Sequence, residues 1–329
     1  MNFEYRVPMT RSGGRWDTWA QGESPWRPDG GGDSMSMAIW TSGARGAGDT
    51  RLEVVASARI ARYLGASAFV PVVHTLGLEE PDPRGRAAYW CSGSWAARLV
   101  KTGPHAFLSP DPAWLGRLPQ EFLGRPLRSG ILGDLFRPWH RPLFVSPAQH
   151  ESQAFGGRVH PDADSLLAHV LGAFPAYSTQ ELNWLPTIVS GPVAFAQEFR
   201  SFLVQGQVTA VSHTRSGHGR AGTTWQAHSR NEGPDTGDAR RFAQDVADAM
   251  GPEDQAPGYC LDIGRLDSRQ WAVVDARPAW SAEPCHCDPD GVVAAILASQ
   301  MESLDWGWHP DPLTAAAAEP LPLAQTLVA

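Results

Sequence analysis

Two alternating stretches, each doubling back on a short turn, constrain this chain most. The sharper constraint lies in Tyr259–Arg277. Tyr-Cys-Leu-Asp-Ile-Gly climbs to a turn at Asp267–Gln270, and Trp271–Ala276 descends from it. Counting outward from that turn pairs Leu266 with Trp271, Gly264 with Val273, and Asp262 with Asp275. Two carboxylates then oppose each other across an apolar sheet. Like charges in directly opposed positions destabilise a sheet, so a cation must sit between them or one must take a proton. A divalent metal is one candidate; Arg277, on the face of Asp275, is the other. A slip of one residue would carry Asp262 off that face.

The second stretch is Val193–Arg215. Phe195, Phe199 and Leu203 interleave with Glu198, Arg200 and Phe202, and Gln205-Gly206 supplies a tight turn. A two-residue turn pairs Val204 with Gln207, Arg200 with Val211, and Glu198 with His213. Glu198, Arg200 and His213 are then expected on one face, with Arg215 near the strand end. Taken alone, this is also what a solvated polar face with a salt bridge looks like.

The 329 residues are 42% hydrophobic and 19% charged, enough for a sizeable core in one large domain or a few smaller ones. A net charge of −8 without a basic stripe argues against nucleic-acid or anionic-membrane partners. No apolar run approaches the ~20 residues of a membrane helix. Met1–Ala20 has no apolar leader segment, so a cytoplasmic location with reduced thiols is expected for Cys91, Cys260, Cys285 and Cys287.

Residues 1–48, rich in Gly, Ser and Trp (Trp16, Trp19, Trp26), read as a flexible arm, and Met35 or Met37 is an alternative start. Residues 49–140 read as a small α/β subdomain. It opens with a helix from Arg51 to Leu64, capped by Thr50 and stopped by Gly65. Strands at Ala68–Val73 and Ala87–Cys91 follow, and then the turn Ser92-Gly93-Ser94. Residues 141–308 form the main domain. Its elements are a strand at Leu143–Ser146, a helix capped by Asp162 or Asp164, an amphipathic helix over 237–250 stopped by Gly251, and a last helix from Asp290 to Leu304. The Pro/Ala-rich tail 309–329 is expected to be loosely held.

In order and spacing the two hairpins resemble the ATP-grasp superfamily. Gln197-Glu198-Phe199-Arg200 followed by Val-Gln-Gly-Gln-Val is similar to its acidic-X-Arg strand and hairpin. Leu261-Asp262-Ile263 and Val273-Val274-Asp275-Ala276-Arg277-Pro278 resemble its closing motif, in which an Asp and then Glu-X-Asn hold magnesium. Phe144-Val145-Ser146-Pro147-Ala148 and Gln153-Ala154-Phe155-Gly156-Gly157 are similar to the Phe-Val-Lys-Pro-Ala strand and Lys-X-Phe-X-Gly loop of a small bacterial and phage clade with one hallmark arginine and two hallmark lysines.

The resemblance implies an α/β ATP-grasp-like fold, with a small N-terminal subdomain and a two-part nucleotide-binding domain. It implies an ATP-dependent carboxylate–amine ligase working through an acyl phosphate, on a small-molecule or peptide carboxylate. Arg200 would neutralise phosphate, and Asp262 and Asp275 would hold magnesium. The segment Ile188–Val193, with Ile188 and Val189 foremost, would line the adenine pocket, and Ser146, Gln153, Glu198, His213 and Arg215 are the further nucleotide-binding candidates.

Four positions depart from the pattern. Ser146 and Gln153 stand where the lysines are expected, Asp275 replaces Glu, and Arg277 replaces the Asn ligand. A phosphate site without its lysines and a metal site with a fixed cation lose transition-state electrostatics. His150, Arg158, His213 and Arg215 are candidate substitutes. The alternative is a non-catalytic ligand-binding or scaffold protein on the same fold, needing neither ATP turnover nor magnesium.

Two smaller signals remain. Cys285-His286-Cys287 is spaced more tightly than usual zinc ligands, so it reads as a reduced, partly buried loop or a wall of the substrate pocket. Gly217, Gly219 and Gly222 form a loop suited to a phosphate cradle or a lid.

Overall fold

A computed structural model of the chain describes residues 53–68, 70–74, 87–103, 105–149, 155–216, 235–301, 303 and 305–317. The expected N-terminal arm, the Gly217–Thr224 loop, His150, Gln153 and the end of the tail lie outside these residues.

A small parallel sheet comes first, in the order β2-β1-β3: β1 (Glu53–Ala56), β2 (Val72–His74) and β3 (Ala87–Tyr89). The helix expected from Arg51 is therefore half strand. Val54 and Val55 are β-branched and pair on both sides, with Val72 and Val73 and with Ala88 and Tyr89. Only α1 (Ala58–Leu64) is helical, and it ends at Gly65 as expected. The turn expected at Ser92-Gly93-Ser94 is instead the start of a helix, α2 (Gly93–Thr102), with Ser92 as its N-cap.

The second sheet is antiparallel, in the order β4-β7-β5-β6: β4 (Leu127–Ile131), β7 (Pro186–Ser190), β5 (Leu143–Pro147) and β6 (Arg158–His160). β4 precedes the residue-141 limit drawn from the sequence, yet it pairs along its length with β7. The sheet therefore begins before that limit, and two short helices, α3 (Gln120–Leu123) and α5 (Thr179–Leu182), lead into β4 and β7. One face of the sheet packs Val145 and Val189 against Leu166 and Val170 of α4 (Ala163–Ala173). Asp162 caps α4, accepting from Ser165 N at 2.8 Å.

Between this sheet and α4 sits an imidazole pair. His160 Nδ1 lies 3.3 Å from Ser165 Oγ, and its Nε2 lies 3.4 Å from His169 Nδ1. Burial, then Arg158 and His169, push His160 down to about 4, and burial and Arg158 lower His169 as well. The folded state thus binds protons here less readily than the unfolded chain. The stabilisation is complete above the unfolded pKa of 6.5 and is lost as pH falls through about 4. Urea midpoints should fall between about pH 7 and pH 4.5, and His160→Gln should flatten part of that slope. Identical slopes in the two proteins would remove His160 as a cause.

The third sheet, in the order β11-β10-β8-β9, holds both hairpins: β8 (Phe195–Val204), β9 (Gln207–Ser216), β10 (Gly258–Leu266) and β11 (Trp271–Pro278). The turn between β8 and β9 has two residues, with φ of 49° at Gln205 and 76° at Gly206, the left-handed conformation of a tight hairpin. One face of the sheet packs on the small-residue face of α6 (Thr236–Met250). Ala239, Ala243, Val246, Ala247 and Met250 are buried there with Phe199, Leu203, Leu261 and Ile263, while Ala249 points to solvent. The same cluster takes in Ile188 of β7 and so joins the two larger sheets.

The other face approaches α7 (Pro289–Ala298), which is capped by Asp288 and stops at Ser299 rather than continuing to Leu304. Just beyond it, Gln300 donates to Tyr89 O and accepts from Tyr89 N, extending the edge of β3 with a side-chain amide. Part of the expected loose tail is ordered as well. Pro312–Ala317 forms a short helix, α8, begun by Asp311, whose carboxylate accepts from Thr314 N and Oγ1.

Candidate functional site

The expected opposition of Asp262 and Asp275 holds, but two deviations cancel to produce it. The pairs nearest the turn are Arg265 with Trp271, Gly264 with Ala272 and Ile263 with Val273, one residue off the expected register. A bulge then places an extra residue, Val274, in β11, and Asp262 meets Asp275. The bulge has a visible partner: Arg125 donates to Val273 O at 2.7 Å and to Val274 O at 3.1 Å.

The first hairpin departs further from expectation. Bulges shift the register between Leu203 and Phe202 and again between Phe199 and Glu198, so Arg200 faces Ser212 and Glu198 pairs with Arg215. His213 falls opposite Phe199, their rings edge to face at 5.0 Å on the core side. It does not join Glu198 and Arg200, which share the other face.

On that face two carboxylates and two guanidinium groups are packed together. Arg200, 8% exposed, holds Asp262 through Nε–Oδ1 and Nη2–Oδ2 contacts of 2.8 Å each. Its Nη1 donates to Glu283 O at 2.8 Å. Nη2 of Arg277 lies 3.1 Å from Asp262 Oδ2 and 3.0 Å from Asp275 Oδ2. Burial opposes both arginine charges, but the neighbouring carboxylates outweigh it, Asp262 foremost, and hold both guanidinium pKa values above the ordinary range. In the structure Arg277 supplies positive charge to both carboxylates, and Arg200 adds to it at Asp262.

Arg125 gave no signal in the sequence, because it sits in an aperiodic Gly-Arg-Pro stretch. It is buried, spans from Ser190 Oγ to the β11 carbonyls, and lies 5.5 Å from the Phe195 ring centroid. Burial lowers its pKa, and Asp275 opposes that shift.

Three thiols surround the cluster. Cys260 Sγ is 3.8 Å from Asp262 Oδ1, Cys285 Sγ is 3.7 Å from Arg200 Nη1, and Cys287 Sγ is 3.2 Å from Ser212 Oγ. Burial raises all three pKa values, that of Cys287 to about 12, which favours the protonated thiols. Cys285 does border a pocket. With Arg59, Arg62 and Tyr63 of α1 and with Glu283, it lines a cavity of about 360 Å³. Arg59 is ion-paired to Glu283, and the Tyr63 hydroxyl donates to Cys287 O.

The remaining candidates lie on the other sheet. Ser146 pairs with Ile188, and both share a face opposite to Val145 and Val189. Ser146 is buried, and a Cβ built on Gly157 would stand 2.8 Å from its own Cβ. Chain therefore crosses closely over the place where a lysine is expected. Arg158 pairs with Val145 and so lies on the helix side of that sheet, away from Ser146.

Sequence comparison adds the family. The profile of an ATP-grasp domain, the second family of the clade named for one arginine and two lysines, matches residues 122–295, more than half of the chain. The chain belongs to this ATP-grasp family. No curated protein matches it in sequence. The fold is similar to that of a RimK domain protein of the ATP-grasp type from Sphaerobacter thermophilus, at 12% identity and a TM-score of 0.43 over 75% of this chain and 98% of that one. It is also similar to D-alanine–D-alanine ligase from Bacillus anthracis complexed with ATP, at 11% identity and a TM-score of 0.40 over 77% and 97%. A third likeness is to carboxyaminoimidazole ribonucleotide synthase from Aspergillus clavatus complexed with ATP, at 9% identity and 0.43 over 78% and 79%.

The donor set of this ATP-grasp domain does not fit magnesium. Magnesium requires several hard oxygen ligands in near-octahedral array. Here both carboxylates are ion-paired with guanidinium groups, and the residue two beyond Asp275 is a cation. Among the described residues, no group of three or more His, Cys, Asp and Glu is placed to hold a metal ion. Nor is any helix among them long and apolar enough to cross a membrane.

Proposed function

We propose that this ATP-grasp protein binds a nucleotide or a carboxylate-bearing ligand without running the ligase cycle, as a pseudoenzyme. The observation that carries this reading is Arg277 bridging Asp262 and Asp275. The acyl-phosphate route needs cations on the transferring phosphoryl group and metal ions bridging its oxygens. The residues suited to hold such ions are already neutralised, and Ser146 offers no charge. The ligand would be ATP or a small-molecule or peptide carboxylate, and neither nucleic acid nor membrane is a partner in this reading. A cytoplasmic setting suits the four cysteines, all of them free.

An ATP-dependent carboxylate–amine ligase is the competing reading. Family membership, the retained Arg200 and Asp262, and a carboxylate kept at Asp275 favour it. Calorimetric titration with ATP, with and without magnesium, separates the two when phosphate release is followed in parallel. We expect nucleotide binding that does not require magnesium and no phosphate release above background. Tight magnesium-dependent binding with phosphate release on addition of a carboxylate and an amine would establish the ligase.

A further inference from the structure

Asp262 Oδ2 and Asp275 Oδ2 both lie within ion-pair distance of one nitrogen, Nη2 of Arg277, at 3.1 Å and 3.0 Å. This is the arrangement a bridging cation would adopt, with the cation covalently attached to the chain. Two further guanidinium groups stand nearby. Arg200 takes both oxygens of Asp262, and Arg125 is bonded to the two carbonyls immediately before Asp275. Three guanidinium groups thus stand near the two carboxylates, with Glu198 on the face of Arg200 and the Glu283 carboxylate held low by Arg59 and, more weakly, by Arg200. A dication entering this cluster would have to displace Nη2 and then face all three guanidinium groups at close range. In a partly buried site such repulsion is screened much less than at the surface. An anion meets the opposite balance.

We propose that Arg277 is a resident counter-ion in place of a divalent metal, and that this site takes its anionic ligand metal-free. The ligand class is then a free phosphate-bearing molecule rather than its magnesium chelate. The ligand half of this statement rests on the proposed binding function; the counter-ion half concerns the protein alone and is tested first.

The probe is manganese, followed by electron paramagnetic resonance on the full chain, with circular dichroism confirming that each variant is folded. Wild type and Arg277→Lys, which keeps the charge, should leave manganese free. Arg277→Asn, or Arg277→Gln should the former not fold, should bind manganese at least about tenfold more tightly than wild type. Adding Asp275→Asn should abolish that gain. Manganese bound by wild type and released by Asp275→Asn, or a folded Arg277→Asn and Arg277→Gln that gain nothing, overturns the proposal. ADP titrations then address the ligand half. Magnesium should leave wild-type affinity unchanged or weaker and should strengthen binding to Arg277→Asn; magnesium tightening wild-type binding overturns that half. Absence of any nucleotide binding counts against the proposed function, while the manganese result stands by itself.

Discussion

Replacing Arg200 with methionine is expected to destabilise the protein by about 3–5 kcal/mol, because it strands a buried carboxylate. The side chain is 8% exposed and makes two charge-assisted bonds to Asp262 at 2.8 Å each. Without it Asp262 loses its bidentate partner and leans on Arg277 for charge, while Glu283 O loses the Arg200 donor. Arg277 must still serve Asp275, so it cannot turn wholly to Asp262. Arg200→Lys should recover only part of the loss, since an ammonium does not reproduce the two parallel bonds of a guanidinium. Combining Arg200→Met with Asp262→Asn should cost less than the sum of the single changes, because the second removes the charge that the first exposes. Urea denaturation at neutral pH measures wild type and each of these variants. A loss for Arg200→Met below about 1 kcal/mol would mean that water screens the pair as it screens a surface bridge.

Gly258→Val is expected to be the most damaging change that touches no charge. A Cβ at Gly258 would stand 2.3 Å from Ala295 O, 2.6 Å from Ser299 N and 2.8 Å from Ala298 Cβ. The first two are backbone atoms of α7 and its C-cap, so no rotamer change relieves the clash. The helix must move off β10. That movement also pulls at Gln300, which binds both backbone groups of Tyr89 in the N-terminal sheet. Overpacking usually costs about 1–3 kcal/mol, and a backbone clash of this depth falls at or above the upper end. The expected result is a large fall in thermal midpoint, with altered near-ultraviolet dichroism from Trp280 and Trp308, whose rings pack beside β3. A midpoint within a degree or two of wild type would show that α7 can shift without loss of packing.

How far the sequence reached is clearest at the two hairpins. Alternation located β8, β9, β10 and β11, because a two-residue period is a property of the strand itself. The resemblance to ATP-grasp proteins, carried by short motifs in order, agrees with the family that matches residues 122–295. Register was less legible. In the first hairpin two bulges shifted the register, and the one nearer the turn moved His213 from the Arg200 face to Phe199, where its ring packs in the core. At one of them Thr209 Oγ1 reaches both Phe202 O and Gly291 O, so part of the cause lies 82 residues away. The N-terminal helix was overextended for a similar reason. Glu53–Ala56 is a strand because β2 and β3 flank it.

The opposed carboxylates draw the line between sequence and tertiary structure. The sequence by itself determined that Asp262 and Asp275 would demand a positive charge, and that a metal or Arg277 would supply it. Alternation and electrostatics are local, and they suffice for that much. The tertiary structure alone places Arg277 Nη2 within ion-pair distance of both carboxylates, with Arg200 on Asp262. The pairing itself depends on a bulge whose exposed carbonyls are satisfied by Arg125, from a segment some 150 residues earlier. A buried carbonyl needs a donor wherever the chain can supply one, and no periodicity in Gly-Arg-Pro announces that role.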